Sequence, residues 1–494
     1  MGETRIVFDH DAVRLYQGHA LDVLRSLPEN SVHCIVTSPP YWGLRSYDTE
    51  PVIWGGDAVC EHVWGVSAAR MALDNRPSGK STLLTNAGRG PKAGDKYSSQ
   101  VGRRDTGRRF FPGRTGSYKD GGPSKTSVFA GAFCRRCGAW TGHLGLEPTP
   151  EMYTEHLVMI FRECHRILRK DGSLWIVIGS SYASGDRMGF RPGNPEMNRG
   201  VSNSNGAPRP PGLKSKDLVG IPWMLAFALR ADGWWLRSET IWEKKNPMPE
   251  SVTDRPTRSH EQVFLLTKSP TYFYDHEAIR EPHTSGGLRK DLGGPDGFVD
   301  LGMRGGRAGN PESGRNKRSV WSLPSEPYGG AHFAVFPRAL VRTCLLAGTS
   351  QKGVCPTCGA PWIRVVEKTR AFVSGSGKAG HLPVGKHGPD LQGGGETKDI
   401  RRGPIVHSVT TGWRPECSCR SDGLTIPAVV LDPFAGTATT LVVARSLGRH
   451  GIGIELSDAY CEQALKRLGE PYQEEDGSLI QTRLALRQPS VFDP

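Results

Sequence analysis

No stretch of the 494 residues approaches 18 consecutive apolar residues, so no membrane-spanning helix is expected. The opening residues MGETRIVFDHDAV carry charge where a secretory signal would need an apolar core, which points to a cytoplasmic chain. Apolar residues are scarce at 37%, while 62 Gly and 37 Pro make up about a fifth of the chain. Such a composition does not fill a uniformly packed globule; it fits an ordered core interrupted by long loops. Acidic residues are in deficit: 50 Asp and Glu stand against 63 Lys and Arg, a formal net charge of +13. That surplus favours a polyanionic partner, nucleic acid first.

Composition also sets the boundaries. Ordered patterning over 1–63 gives way to a basic stretch at 64–133, with 13 basic and 4 acidic residues between Gly65 and Phe133. This reads as a flexible insertion without a core of its own. Order returns over 134–281. A second basic, glycine-rich region spans 282–330 and carries Arg289, Lys290, Arg304, Arg307, Arg315, Lys317 and Arg318. Ordered stretches at 331–352 and 424–470 flank a cysteine-bearing insertion at 353–423, and 471–494 reads as a tail. Apolar runs predict strands at 5–8, 32–36, 173–178, 234–242, 261–267, 428–432 and 451–455. Helical periodicity predicts helices at 20–27, 150–169, 221–232, 337–346 and 439–447. Strands alternating with helices predict an α/β fold, Rossmann-like, with a doubly wound and mostly parallel sheet.

The eleven cysteines are unevenly spread. Cys34, Cys164, Cys344 and Cys461 sit singly in apolar or helical patterns and read as small buried hydrophobes. The other seven form spaced sets: Cys60 with His62, Cys134-x-x-Cys137, Cys355-x-x-Cys358 and Cys417-x-Cys419. In a chain of this kind such spacing reads as zinc ligation rather than disulfide bonding. Two structural sites are expected. Cys60, His62, Cys134 and Cys137 would pin both ends of the basic insertion, and Cys355, Cys358, Cys417 and Cys419 would close the later one. Neither set includes the acid that a hydrolytic zinc site would use.

The strand at 32–36 ends in Thr37-Ser38-Pro39-Pro40-Tyr41. Pro-Pro can neither extend a strand nor continue a helix, so the chain must turn at the strand's carboxyl end, where α/β sheets bind ligands. Much later, Leu431-Asp432-Pro433-Phe434-Ala435-Gly436-Thr437-Ala438-Thr439-Thr440 follows an apolar strand and opens a helix. Small residues there let the backbone approach a ligand near the helix N-terminus. Glu455, at the tip of the next strand, is spaced to accept hydrogen bonds from ribose hydroxyls. The turn has neither the G-x-x-x-x-G-K-[ST] nor the G-x-G-x-x-G phosphate pattern. An adenosine ligand without phosphates is left, and S-adenosylmethionine is the commonest.

Ser-Pro-Pro-Tyr at 38–41 together with Asp-Pro-Phe-x-Gly at 432–436 resembles the amino-group DNA methyltransferases, which make N4-methylcytosine or N6-methyladenine. With Pro-Pro-Tyr first and the cofactor turn last, the order is similar to the β-type arrangement, a circularly permuted methyltransferase fold. Three further blocks agree: Ile241-Trp242-Glu243-Lys244-Lys245-Asn246-Pro247-Met248-Pro249, Arg258-Ser259-His260-Glu261, and His332-Phe333-Ala334-Val335-Phe336-Pro337. The resemblance covers about 5–63, 134–280 and 320–470.

The resemblance implies that Ser38, Pro39, Pro40 and Tyr41 are catalytic. Ser38 Oγ and the Pro39 carbonyl would accept from both hydrogens of the exocyclic amine, making its nitrogen nucleophilic. Tyr41 would stack on the flipped base. S-adenosylmethionine would be held by Asp432, Phe434, Gly436, Thr437, Thr439, Thr440 and Glu455, with Phe336 and Pro337 at its methionine end. His19 stands where the family often has an acid near the adenine ring, and Ala438 where many members have glycine. Ser before Pro-Pro resembles the cytosine-N4 members, so cytosine N4 is favoured over adenine N6. The partner implied is double-stranded DNA, with the basic regions on its phosphates and 282–330 reading the target. A cognate restriction endonuclease is a candidate partner, and the sequence carries no signal of oligomeric state. Two rivals are a zinc-containing DNA-binding protein that has lost catalysis and a methyltransferase of protein glutamine or RNA. Intact Ser38–Tyr41, Gly436 and Glu455 weigh against the first, and the basic insertions against a peptide substrate.

Overall fold

Nine strands form the central sheet of the computed structural model, which describes residues 4–43, 49–67, 131–183, 212–281, 315–326, 336–373, 379–380, 405–419, 422–469, 472–473 and 479–480. In chain order they are β1 (Arg5–His10), β2 (Val13–Gln17), β3 (Val32–Thr37), β4 (Leu168–Ile178), β5 (Trp235–Lys244), β6 (His260–Thr267), β7 (Val320–Leu323), β8 (Val429–Asp432) and β9 (His450–Glu455). Across the sheet the order is β1-β2-β9-β8-β3-β4-β6-β5-β7. From β2 to β4 every neighbouring pair is parallel. β1 at one edge and β6 in the other half run antiparallel to their neighbours, and β7 lies parallel to β5.

Helices cover both faces, which is why the inner strands read as unbroken apolar runs. α1 (Ala20–Ser26), α2 (Pro150–Ile167) and α3 (Ile221–Ala231) pack on one face; α4 (Arg338–Gly348), α5 (Thr439–Ser446) and α6 (Asp458–Gly469) pack on the other. The alternation of β4 divides its side chains between them. Leu174, Ile176 and Ile178 join Leu157, Phe161 and Leu225 in one core, while Trp175 and Val177 join Leu340, Val341 and Val443 in the second. α2 starts where the sequence says it must: Pro150 occupies the first turn and Thr149 accepts from the Met152 N–H at 3.2 Å.

Three elements of the central layers are not among those the sequence predicts, and neither are the strands of the two satellite pieces described next. β2 is short and half-exposed on alternate residues. β7 is a four-residue edge strand within the region read as a basic recognition segment. α6 follows the strand expected to close the ordered part, and it buries Cys461, Ala464 and Leu468 at helical spacing. Two satellite pieces join the sheet. One is a four-stranded antiparallel sheet of Val52–Trp54, Trp140–Gly142, Ala132–Cys134 and Trp64–Ser67, which carries both ends of the basic insertion. The other is a long hairpin of Trp362–Val373 against Ile405–Pro415. Arg364 anchors that hairpin, stacking over Trp413 at 4.5 Å and pairing with buried Asp275 at 2.9 Å. Among the described residues no helix is long and apolar enough to cross a membrane.

Candidate active site and cysteine clusters

β3 and β8 are parallel neighbours, so Thr37 and Asp432 end side by side. Asp432 is fully buried and its oxygens are spent inside the protein. Thr37 Oγ1 donates to Oδ1 at 2.6 Å, Thr440 Oγ1 donates to Oδ2 at 2.7 Å, and the Phe434 N–H donates to Oδ1 at 3.1 Å. Burial pushes the carboxyl up to about 6 against these donors. Thr437 and Thr439 are likewise engaged, both accepting from Arg467 of α6, at 3.0 and 2.7 Å. These four side chains build the turn.

The surface left by the turn is formed by Gly436 and Glu455. Gly436 adopts φ +52°, and open space lies where a Cβ would stand. Its N–H donates to Glu455 Oε2 and the Ser457 N–H to Oε1, each at 2.8 Å. Burial raises the Glu455 carboxyl to about 7 in spite of those N–H groups. The Gly18 N–H donates to the Glu455 carbonyl at 2.9 Å, which brings His19 alongside. His19 meets Trp54 edge-on at 5.0 Å, and its buried Nε2 has no hydrogen-bond partner among the described residues. Ala438 also lies in the left-handed region, φ +63°, which accounts for the glycine of the resembling sequences. An acceptor carboxylate, an open glycine and an orphaned ring nitrogen fit the ribose and base of an adenosine ligand. The aromatic of the turn, Phe434, is half-buried against the first core. Phe336 packs against the second core and Pro337 leads into α4, which lies beside α5; 332–335 fall outside the described residues.

The Ser38–Tyr41 loop is held from several sides. Tyr153 Oη donates to the Pro40 carbonyl at 2.7 Å, and the Trp42 indole N–H donates to the Glu147 carbonyl at 3.0 Å. The fully buried Glu147 carboxylate accepts from the Gly145 N–H at 2.7 Å and meets His156 Nδ1 at 3.0 Å. His156 is stacked between Trp54 and Trp140, with ring centres 4.7 and 5.5 Å away. Ser38 Oγ lies 3.5 Å from Tyr41 Oη. Tyr41 Oη donates to Glu261 Oε2 at 2.6 Å, while Lys244 Nζ donates to Glu261 Oε1 at 2.5 Å. Burial and the Glu261 carboxylate hold the Tyr41 phenol well above its ordinary value, so it stays neutral.

Both cysteine sets come together. In each, the four candidate ligand atoms lie within 4.8 Å of one another. The two C-x-x-C turns share a backbone pattern: Cys134 N–H to Ala139 O and Gly138 N–H to Cys134 O in one, Cys355 N–H to Ala360 O and Gly359 N–H to Cys355 O in the other. Behind this is a short repeat, Cys-x-x-Cys-Gly-Ala, that sequence reading left unused. Such a turn aims two thiolates at one point, and four sulfur or nitrogen donors at these separations fit a tetrahedral metal. The clusters sit at opposite ends of the sheet. The first belongs to the small sheet that follows the Tyr41 loop. The second lies at the amino ends of the strands, where the Gly359 carbonyl bonds to His33 of β3 at 3.0 Å and the Cys358 carbonyl accepts from Arg169 of β4 at 2.8 Å.

Tyr153, Glu147, His156 and Arg467 carry no functional signal in the sequence, and Lys244 and Glu261 stand in resembling blocks without a role. The basic segments at 68–130 and 282–314 lie outside the described residues.

A family model described as DNA methylase matches residues 32–355 and 425–466. Type II methyltransferase M.Cfr9I of Citrobacter freundii is 36% identical over 335 residues, 68% of this chain and 72% of that protein. Type II methyltransferase M.SmaI of Serratia marcescens is 36% identical over 327 residues, 66% of this chain and 77% of that protein. A solved structure described as PvuII DNA methyltransferase (cytosine-N4-specific) overlays with a TM-score of 0.42 at 11% identity, covering 94% of this chain and 89% of that one.

Proposed function

The chain belongs to the N6/N4 DNA methylase family, and on that premise we propose that it transfers a methyl group from S-adenosylmethionine to cytosine N4 within a specific DNA site. The observation that best supports this reading is the Thr37–Asp432 hydrogen bond, because it joins the start of the Ser38–Tyr41 loop to the start of the Gly436 turn. Amine acceptor and methyl donor then share one rigid origin, and an in-line displacement needs positioning above all.

S-adenosylmethionine supplies an electrophilic methyl group when bound. Glu455 and the Gly436 backbone would hold its ribose, with His19 Nε2 beside the adenine. The chain's own residues act on the base. Ser38 Oγ and the Pro39 carbonyl accept hydrogen bonds from the two amine hydrogens and draw the nitrogen lone pair out of the ring; once the nitrogen carries the methyl group, one of those hydrogens is released as a proton to solvent and the other stays. Tyr41 stacks on the base once it has left the duplex. The Pro40 carbonyl is engaged by Tyr153, which supports Pro39 as the backbone acceptor. Serine at position 38 supports cytosine N4 over adenine N6, by resemblance.

In this reading the sheet is a circularly permuted methyltransferase core, and both cysteine clusters hold structural zinc. The basic segments 64–133 and 282–330 neutralise DNA phosphates, and the protein acts on DNA in the cytoplasm, alongside a cognate restriction endonuclease. The deciding experiment incubates plasmid DNA with purified protein and methyl-labelled S-adenosylmethionine, followed by mass spectrometry of the nucleosides, with Tyr41→Ala in parallel. Labelled N4-methylcytosine that is lost in the variant is expected. Labelled N6-methyladenine would overturn the choice of base, and an unlabelled digest the choice of DNA.

A further inference from the structure

We propose that Glu261 is a positioning residue for methyl transfer, which with Lys244 and Gly179 fixes the Tyr41 ring on which the target base stacks. The inference rests on the reading of Ser38–Tyr41 as the amine-binding loop.

Two contacts define the Tyr41 ring, and a third holds the first of them in place. Its hydroxyl donates to Glu261 Oε2 at 2.6 Å. The second oxygen of Glu261 accepts from Lys244 at 2.5 Å, so the carboxylate cannot turn away without leaving a cation unpaired. The sheet register sets this pair. Glu261 of β6 lies opposite Trp242 of β5, and Lys244 is two residues further along on the same face, with Nζ 4.9 Å from the Trp242 ring centre. On another side of the ring stands Gly179, just after β4. A Cβ there would lie 2.8 Å from Tyr41 Cε2 and 3.3 Å from Cδ2. Arg258 bonds to the Ser180 carbonyl, tying this segment to the start of β6.

The torsion about the Cβ–Cγ bond of a tyrosine is broad and soft. A ring free to swing would have to be ordered when the base arrives, at an entropic cost. The hydroxyl lies on the Cβ–Cγ axis, so its charge-assisted bond to Glu261 fixes the swing of the whole ring about Cα–Cβ, while the Gly179 backbone at the ring edge opposes rotation about Cβ–Cγ; together they meet that cost during folding. Glu261 touches Tyr41 rather than the base, so it acts through the ring.

The test uses the full chain. Glu261→Leu and Tyr41→Phe are each expected to lower the single-turnover methylation rate on plasmid DNA about tenfold, while S-adenosylmethionine affinity stays within about twofold. The double variant should be no slower than either single one. Glu261→Gln, whose amide still bonds to both neighbours, should recover most of the rate. A Glu261→Leu enzyme at the wild-type rate, losses that multiply, or a Glu261→Gln as slow as Glu261→Leu would each overturn the proposal. If Glu261→Leu fails to fold, Glu261→Leu with Lys244→Met removes the stranded cation and takes its place. Fluorine NMR on fluorotyrosine-labelled protein reads the ring without reference to activity. The resonance lost in Tyr41→Phe should move toward the free-tyrosine position in Glu261→Leu, and an unmoved resonance overturns the proposal even if wild type proves inactive on DNA.

Discussion

Thr37 Oγ1 donates to Asp432 Oδ1 at 2.6 Å, across 395 positions of sequence, in a site closed to water. Thr440 takes the other oxygen, so one carboxyl ties together the last residue of β3, the last residue of β8 and the first turn of α5. The Ser38–Tyr41 loop and the Gly436 turn leave the sheet from this point. Asp432 thereby positions them, with both carboxyl oxygens engaged inside the protein.

Replacing Asp432 with Ala leaves the Thr37 hydroxyl and the Phe434 N–H without their acceptor, while Thr440 keeps the Val36 carbonyl, and is expected to cost about 2–4 kcal/mol in urea unfolding. Asn keeps partners for both and should cost less. The comparison depends on pH. A carboxyl raised to about 6 contributes stability that is fully present below its unfolded value of 3.8 and lost as pH rises through 6. Melting temperatures of wild type and Asp432→Asn should therefore shift in the variant's favour as pH rises from about 4 to about 6, and the difference should level off above that. A pH-independent difference would count against this account.

Glu455 gives a prediction of its own for cofactor binding. The carboxyl is raised to about 7, with the nearby Asp432 carboxyl adding to the effect of burial. Ribose hydroxyls donate best to the ionised form. Calorimetric affinity for S-adenosylmethionine should rise from pH 6 to pH 8 and level off above it. Glu455→Gln should bind about tenfold or more weakly, with a flatter pH profile.

Metal content separates the two clusters. Elemental analysis should find two zinc ions per chain, with one lost in Cys137→Ser and the other in Cys358→Ser. Because the first cluster belongs to the sheet that supports the Tyr41 loop, Cys137→Ser should reduce methylation more than Cys358→Ser at matched folded fraction. Both should lower the melting temperature, since metal binding to such sites is folding free energy. A chain free of metal after expression in zinc-supplemented medium would exclude the assignment.

Gly179→Ala tests the wall beside Tyr41. The added methyl group would meet the ring at 2.8 Å, and a ring tied to Glu261 has no easy retreat. Methyl transfer should fall about tenfold or more while cofactor affinity holds, because misplacing a reacting group by a fraction of an ångström is costly. Wild-type turnover in Gly179→Ala would show that the ring moves freely.

Signals carried by short spans of chain were legible from the sequence. Pro39-Pro40 had to turn at a strand end, Gly436 had to sit in a tight strand-to-helix turn, and Cys-x-x-Cys spacing had to bring two thiols together in one tight turn. The apolar runs of β3, β4, β6 and β8 marked a sheet buried on both faces. Their chemistry is local, and local spacing is what a sequence records directly. Only the tertiary structure decided which distant groups meet. Glu261 reaches Tyr41 because β6 lies beside β4, and Lys244 reaches Glu261 through one particular antiparallel register. Shifting that register by one residue would turn Lys244 to the opposite face. The same holds for Asp432, which the sequence puts in a ligand-binding turn and the packing of Thr37 and Thr440 encloses. It holds also for the cysteine clusters, whose repeated motif gives no sign that one lies near the Ser38–Tyr41 loop and the other at the far end of the sheet. Strand order and register fix these relations, and both are set by the burial of the whole core rather than by any single segment.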